Sequence, residues 1–184
     1  MALTPVPIGF GAYSVAAVLS GIYVYGKEKG ENSQKTLGVY AFLAGIALYF
    51  TSFVFVVDPP LGDVGVSISI QLLFALLTFI FGSVWFGFSI TLFLGWDLKF
   101  IGDAALVLFT LHAIGFVILF KWISIFGLTG FIVLQINMVL YLIVESGFFL
   151  LTHGKVSARY QGTALVLSGI ATYAVIFYTA GIIG

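Results

Sequence analysis

Charge is what this sequence lacks most. Seven basic and seven acidic side chains serve 184 residues, 8% of the chain, where soluble domains carry roughly 25%. So few charges cannot clothe a water-facing surface, which excludes a soluble globular enzyme, a nucleic-acid binder and a disordered tail. The formal net charge is zero, so there is no polybasic face for nucleic acid. Cysteine is absent, which removes disulfides, thiolate metal sites and thiol redox motifs. Histidine occurs only at His112 and His153. Without further ligands these make neither a metal centre nor a site for paired haems, and no metal or cofactor is expected. Lys and Arg are missing from the first 26 residues. A signal peptide needs a basic n-region, so the first apolar stretch is expected to be a retained helix. No Ser-His-Asp order, Gly-rich phosphate loop or carboxylate pair occurs, so an enzyme with catalytic residues is not expected.

What is present is apolar: 61% hydrophobic residues, twenty Phe and a mean hydropathy of +1.21. An integral membrane protein follows. A span needs about 20 residues, so six spans use about 120 and leave only short connections. The polar clusters KEKGENSQK, DPPLGD, GWDLKFIGD, Lys121-Trp122 and HGKVSAR punctuate the apolar runs. Pro59 and Pro60 block helix continuation after the second run. The third run, charge-free over 64–96, is too long for one span and too short for two, so 64–69 reads as loop. These breaks, with a tight turn around Gly127 to Gly130, predict an all-α bundle of six transmembrane helices. They span about 8–26, 36–57, 70–94, 104–120, 128–152 and 160–183, in one membrane domain covering 1–184. Lys27, Lys29, Lys35, Lys99, Lys155 and Arg159 follow the odd-numbered helices, and only Lys121 lies on the other side. The positive-inside rule then places both termini outside and the three basic loops in the cytoplasm of a multi-pass protein of the cell membrane.

Small residues recur at four-residue spacing as Ala12, Ala16 and Ser20, as Ser83, Gly87 and Thr91, and as Ala164, Ser168 and Thr172. Such stripes pack helices or build oligomers, and they also widen a pore. Glu145 is the one acid inside an apolar run. An ionised side chain at mid-membrane costs about 2.5–3.5 kcal/mol on insertion scales. Three readings account for it: a group lining a solute path, a neutral acid hydrogen-bonding a neighbouring helix, or a side chain snorkelling to the cytoplasmic headgroups. Leu134, Met138, Tyr141, Glu145, Phe148 and Thr152 share its helix face. Tyr141 lies one turn away, and Gln135 and Asn137 add amides in the outer half. His112 falls mid-helix, where a lone His is ordinarily a hydrogen-bonded packing residue. Gln71 and Trp85 are further candidates for a path. Aromatic residues filling an ordinary helix interface are the alternative for this whole set.

The segment WFGFSITLFLGWDLKFIGDAALVLF resembles the acid-gated urea channel and amide transporter family. That family carries a Phe-Gly-Phe element in its third helix, followed by a Gly-x-Asp-x-basic loop. The matching positions are Phe86, Gly87 and Phe88, then Gly95, Asp97 and Lys99. The resemblance implies six helices with both termini outside, and an acid near the end of helix five, where Glu145 falls. More distantly, TPVPIG at 4–9 resembles the opening motif of the acetate and succinate channels. Both families imply a homo-oligomer, a hexamer, with one path through each protomer. The resemblance leads to a membrane channel or facilitator for a small neutral polar solute, urea or a short-chain amide, with Phe86, Phe88, Tyr141 and Glu145 at its narrow part. Two alternatives stand beside it. One is a non-catalytic helical subunit of a larger membrane complex such as a respiratory one. The other is a channel for acetate or another short monocarboxylate.

Overall fold

The computed structural model describes residues 6–26, 30–61 and 65–183. Thr4, Lys27, Lys29 and Asp63, which entered the motif and orientation arguments, lie outside the described residues. Helices follow one another along the chain: α1 (Val6–Val24), α2 (Glu31–Val57), α3 (Val66–Leu94), α4 (Lys99–Leu119), α5 (Ile123–Thr152) and α6 (Ala158–Thr179). One turn of 3-10 helix, Phe120–Trp122, joins α4 to α5. No strand occurs among the described residues. Five helical stretches are long and apolar enough to cross a membrane: Val6–Val24, Asn32–Val57, Ser67–Leu94, Lys99–Thr152 and Ala158–Thr179.

The helix ends follow from local chemistry. α2 stops at Asp58, before the two prolines. α3 starts at Val66, earlier than the loop expected over 64–69, because uninterrupted apolar sequence offers nothing to delay it. It closes at Gly95, whose φ of 67° is the left-handed turn that glycine adopts without strain. Asp97 Oδ1 then accepts the Lys99 backbone N–H at 2.9 Å. That bond starts α4 ahead of the expected 104 and puts Asp103 in the helix. Between α4 and α5 the backbone leaves helical geometry at Trp122 (φ −120°, ψ 16°) and again at Gly127 (φ 66°, ψ 174°), so of the tight turn expected over Gly127 to Gly130 only Gly127 is non-helical. Ser157 caps α6 by accepting the Tyr160 N–H at 3.2 Å.

The long stretch 99–152 doubles back on itself. Gly102 lies against Thr152, His112 meets Glu145, and Gln135 Nε2 donates to the Phe116 carbonyl at 3.1 Å. α4 and α5 are therefore an antiparallel hairpin.

Two further antiparallel pairs share one construction. In α2 and α3, Ser89 Oγ donates to the Gly38 carbonyl at 2.8 Å and Ser52 Oγ donates to the Ala75 carbonyl at 2.7 Å. Midway, a Cβ on Gly45 or on Gly82 would stand 3.0 Å from the other's carbonyl oxygen. In α1 and α6, Ser14 Oγ donates to the Gly169 carbonyl at 2.6 Å, and a Cβ on Gly21 would stand 2.6 Å from the Gly162 oxygen. Contacts at seven-residue intervals return to one helix face after two turns, and small residues there let the backbones touch.

Each helix packs on its neighbours in chain order, and α6 closes on α1; no other pair brings its backbones together among the described residues. The arrangement is a closed ring. Its axis is filled by side chains rather than by another backbone.

Candidate functional site

Tyr13 marks the centre of this ring. It belongs to α1, whose ring neighbours are α2 and α6. Its ring nonetheless lies 4.8 Å from Phe81 and 5.7 Å from Trp85 on α3, and 5.4 Å from Tyr141 on α5. Only a side chain on the axis reaches across in this way, and Tyr13 is fully buried. Its hydroxyl and that of Ser168 on α6 share a 2.6 Å hydrogen bond. Phe81 in turn meets His112 at 5.7 Å and Tyr141 at 5.6 Å. Aromatic rings from α1, α3, α4 and α5 thus form a plug across the axis.

Cavities lie on both sides of the plug. Towards the Val6 end of α1, a cavity of about 40 Å³ is lined by Phe10, Phe74, Thr78, His112, Asn137 and Tyr141 among others. A second, also about 40 Å³, adjoins it through shared walls at Phe10, Phe74, Thr78, Leu134 and Val175. Towards the Val24 end, an inner cavity of about 50 Å³ is lined by side chains of α1, α3, α4, α5 and α6, including Ser20, Trp85, Phe88, Glu145, Phe148 and Gln161. Phe81 borders both the inner cavity and its neighbour across the plug. A cavity needs about 10–15 Å³ to admit a water, so each has room for at least one. The three cavities are stacked along one line, interrupted by the aromatic plug.

Buried polar groups lie beside that line and bond mostly to one another. Glu145 Oε1 and His112 Nδ1 are 2.5 Å apart, with both side chains at least nine-tenths buried. One proton must lie between them, whichever group owns it. Tyr141 and Thr172 hydroxyls are 3.1 Å apart, and Thr172 Oγ1 also donates to Asn137 Oδ1 at 3.3 Å. Buried polar atoms are normally partnered. Among the described residues four side-chain atoms are buried without a partner: Ser20 Oγ, Gln135 Oε1, Glu145 Oε2 and Gln161 Oε1. Three of the four belong to residues lining the inner cavity.

The residues singled out in the sequence divide. Glu145, His112 and Tyr141 come together on the axis, and Phe88 joins Glu145 among the residues lining the inner cavity, 5.8 Å from Phe148. Trp85 is part of the plug. Phe86 does not share the axis with Phe88. Two residues on a helix are about 200° apart, and Phe86 faces outward to Phe42 at 5.3 Å and Tyr49 at 6.2 Å on α2. Gln135 is buried in the α4–α5 joint through its bond to Phe116. Gln71 is buried where α2 meets α3, its Oε1 accepting the Leu61 N–H at 2.7 Å. Gly95, Asp97 and Lys99 are exposed and shape the α3–α4 turn. Snorkelling by Glu145 is overturned: at 3% exposure its carboxyl is turned inward.

Tyr13, Phe81 and Gln161 escaped the sequence reading. Tyr13 and Phe81 are ordinary aromatics in an aromatic-rich chain, and Gln161 sits one turn from the polar HGKVSAR loop, where an amide attracts no notice. Ser20 was visible only as a small packing residue.

No family model, curated protein or solved structure matches the chain. The fold by itself defines the class: an all-helical chain whose long apolar helices are compatible with a multi-pass membrane protein.

Proposed function

We propose that the chain is a membrane channel or facilitator for a small neutral polar solute, urea or a short-chain amide, and that the solute travels along the ring axis. The observation that carries the reading is the stack of three cavities on that axis, largely apolar in their walls, with an aromatic plug at its middle and the buried Glu145–His112 pair beside it. Ligand sites in helical bundles are cavities with a few convergent polar groups, and selectivity in pores comes from diameter and the groups that line them. In this reading the α4–α5 hairpin supplies two crossings, the helices cross six times, and both termini face outside. Lys155 and the basic residues in the first turns of α2, α4 and α6, Lys35, Lys99 and Arg159, lie on the cytoplasmic side. The apolar outer faces meet lipid or a second copy of the chain in a homo-oligomer.

The plug holds the path closed, and solute passes when Phe81, which has no polar anchor, rotates aside. Aromatic rings attached by two torsions suit that task, because rotation costs no backbone hydrogen bond. The Glu145–His112 pair sits beside the plug, where it offers polar contact without leaving an unpaired charge in the membrane.

Stopped-flow light scattering of proteoliposomes in urea, acetamide and acetate gradients tests the reading. Urea and acetamide are expected to enter faster than into empty vesicles. Equal rates for all three solutes with and without protein would overturn it.

A further inference from the structure

We infer that the groove on the outer face of the α1–α6 pair is a binding site for an anionic phospholipid, which lays an acyl chain in the groove and sets its phosphate beside Arg159. The inference does not depend on a solute path and needs only that the helices stand in a membrane.

The groove exists because glycines face each other where the two helices cross. A Cβ on Gly21 would stand 2.6 Å from the Gly162 oxygen, and one on Gly162 would stand 2.8 Å from the Gly21 oxygen. With no side chain at either position, the crossing is left as a floor of bare backbone. Ile22 and Tyr25 of α1, with Thr163, Val166 and Leu167 of α6, form the walls. The space between them is about 280 Å³, larger than any of the three axial cavities. Its one hydroxyl-bearing aliphatic wall residue, Thr163, donates Oγ1 to the Arg159 carbonyl at 2.9 Å. That hydroxyl is satisfied within its own helix, so it asks nothing of an occupant.

Charge decides what the occupant is. Arg159 lies one turn before Thr163 and two before Val166, on the α6 face that forms the groove wall. It is exposed, and it is the one charged residue on α1 and α6. The ion pairs among the described residues join His112 to Glu145 and His153 to Asp103, so no described acid engages it. Its place in the first turn of α6 adds the positive end of the helix dipole. A guanidinium also matches a phosphate with two parallel N–H donors.

Depth agrees with charge. Eight residues separate Arg159 from Leu167, about 12 Å of helix. That length fits within one leaflet of a hydrocarbon core about 30 Å thick. With Arg159 at headgroup level, the groove therefore runs along the acyl chains. Tyr25 stands at the Arg159 end, where a Cβ on Gly162 would lie 3.1 Å from its backbone nitrogen, and aromatic residues of that kind favour the interface. The same charge argues against a second copy as occupant. Copies in one membrane share an orientation, so a two-fold contact through this groove would set Arg159 against Arg159 at equal depth. Neither helix has an acid to offset them.

Native mass spectrometry of the full chain, titrated with dioleoyl phosphatidylglycerol or dioleoyl phosphatidylcholine, compares identical tails with and without net charge. One phosphatidylglycerol per chain is expected to bind at least about fivefold more tightly than phosphatidylcholine, the worth of one basic residue at an anionic surface. Arg159→Gln should bring that ratio to about one, and Arg159→Lys should keep most of it. Lys99→Gln, which removes an exposed charge from α4, should leave it unchanged. Thr163→Trp fills the groove from an exposed position and should abolish tight binding of both lipids. Should Thr163→Trp fail to fold, the Arg159 and Lys99 variants decide the matter. Equal affinities in the wild type would overturn the inference, as would equal losses from Arg159→Gln and Lys99→Gln, the mark of diffuse attraction. A lipid-free dimer that Thr163→Trp dissociates would overturn it in favour of a second copy.

Discussion

Tyr13 and Tyr141 meet edge to face, ring centres 5.4 Å apart at an interplanar angle of 89°, although their helices are not neighbours in the ring. Each hydroxyl is then tied to α6, Tyr13 to Ser168 and Tyr141 to Thr172. Those two anchors lie four residues apart on one face of α6. The pair is therefore held from behind and closes the axis from the front.

Phe81, which borders the cavities on both sides of this pair, has no polar anchor. Phe81→Ala is expected to open the plug and raise urea flux several-fold above wild type, read by stopped flow. Phe86→Ala, directed at α2 rather than the axis, is expected to leave flux unchanged. Equal effects of the two would show that the plug is not where solute is held back.

The Glu145–His112 pair is expected to respond asymmetrically to mutation. Removing one partner of a buried hydrogen-bonded ionisable pair costs about 3–5 kcal/mol, whereas replacing both by apolar groups of similar size is often neutral. His112→Leu should therefore lower stability more than His112→Leu with Glu145→Leu. Thermal unfolding in a mild detergent measures this, and purely additive losses would count against coupling.

How tightly the ring closes rests on glycine at 21. A Cβ there would press on the Gly162 carbonyl, while one at Gly11 meets nothing within 4 Å. Gly21→Ala is expected to destabilise by about 1–3 kcal/mol through overpacking. Gly11→Ala should be neutral in the same melting assay.

Much of the fold was legible because the charges punctuate it. Asp58 with its two prolines, the Gly95–Lys99 turn and the HGKVSAR loop each end a helix for a reason visible in the residues. The site was less legible. Glu145 stood out as an acid in an apolar run, but nothing in one dimension says that His112, on another helix, would meet it. Helix pairing brings them together, in the register set by Gly102 against Thr152 and Gln135 on the Phe116 carbonyl, just as Ser14, Gly21, Gly162 and Gly169 at seven-residue spacing pair α1 with α6. The four-residue stripes drew the eye instead. Of their members, Ser168 and Thr172 turn out to bond the plug tyrosines and Ser20 to line the inner cavity. The Phe-Gly-Phe element suggested two wall residues, yet helical rotation sends Phe86 and Phe88 to opposite sides.

The absence of cysteine makes the central claim directly testable. A single thiol introduced by Ser20→Cys places the only reactive sulfur in the inner cavity. Methyl methanethiosulfonate adds one small methylthio group to it, and urea flux is measured before and after, with labelling followed by mass spectrometry. If solute passes along the ring axis, labelling should reduce flux to that of empty vesicles, and a reducing agent should restore it. Full labelling with urea flux unchanged would contradict the account.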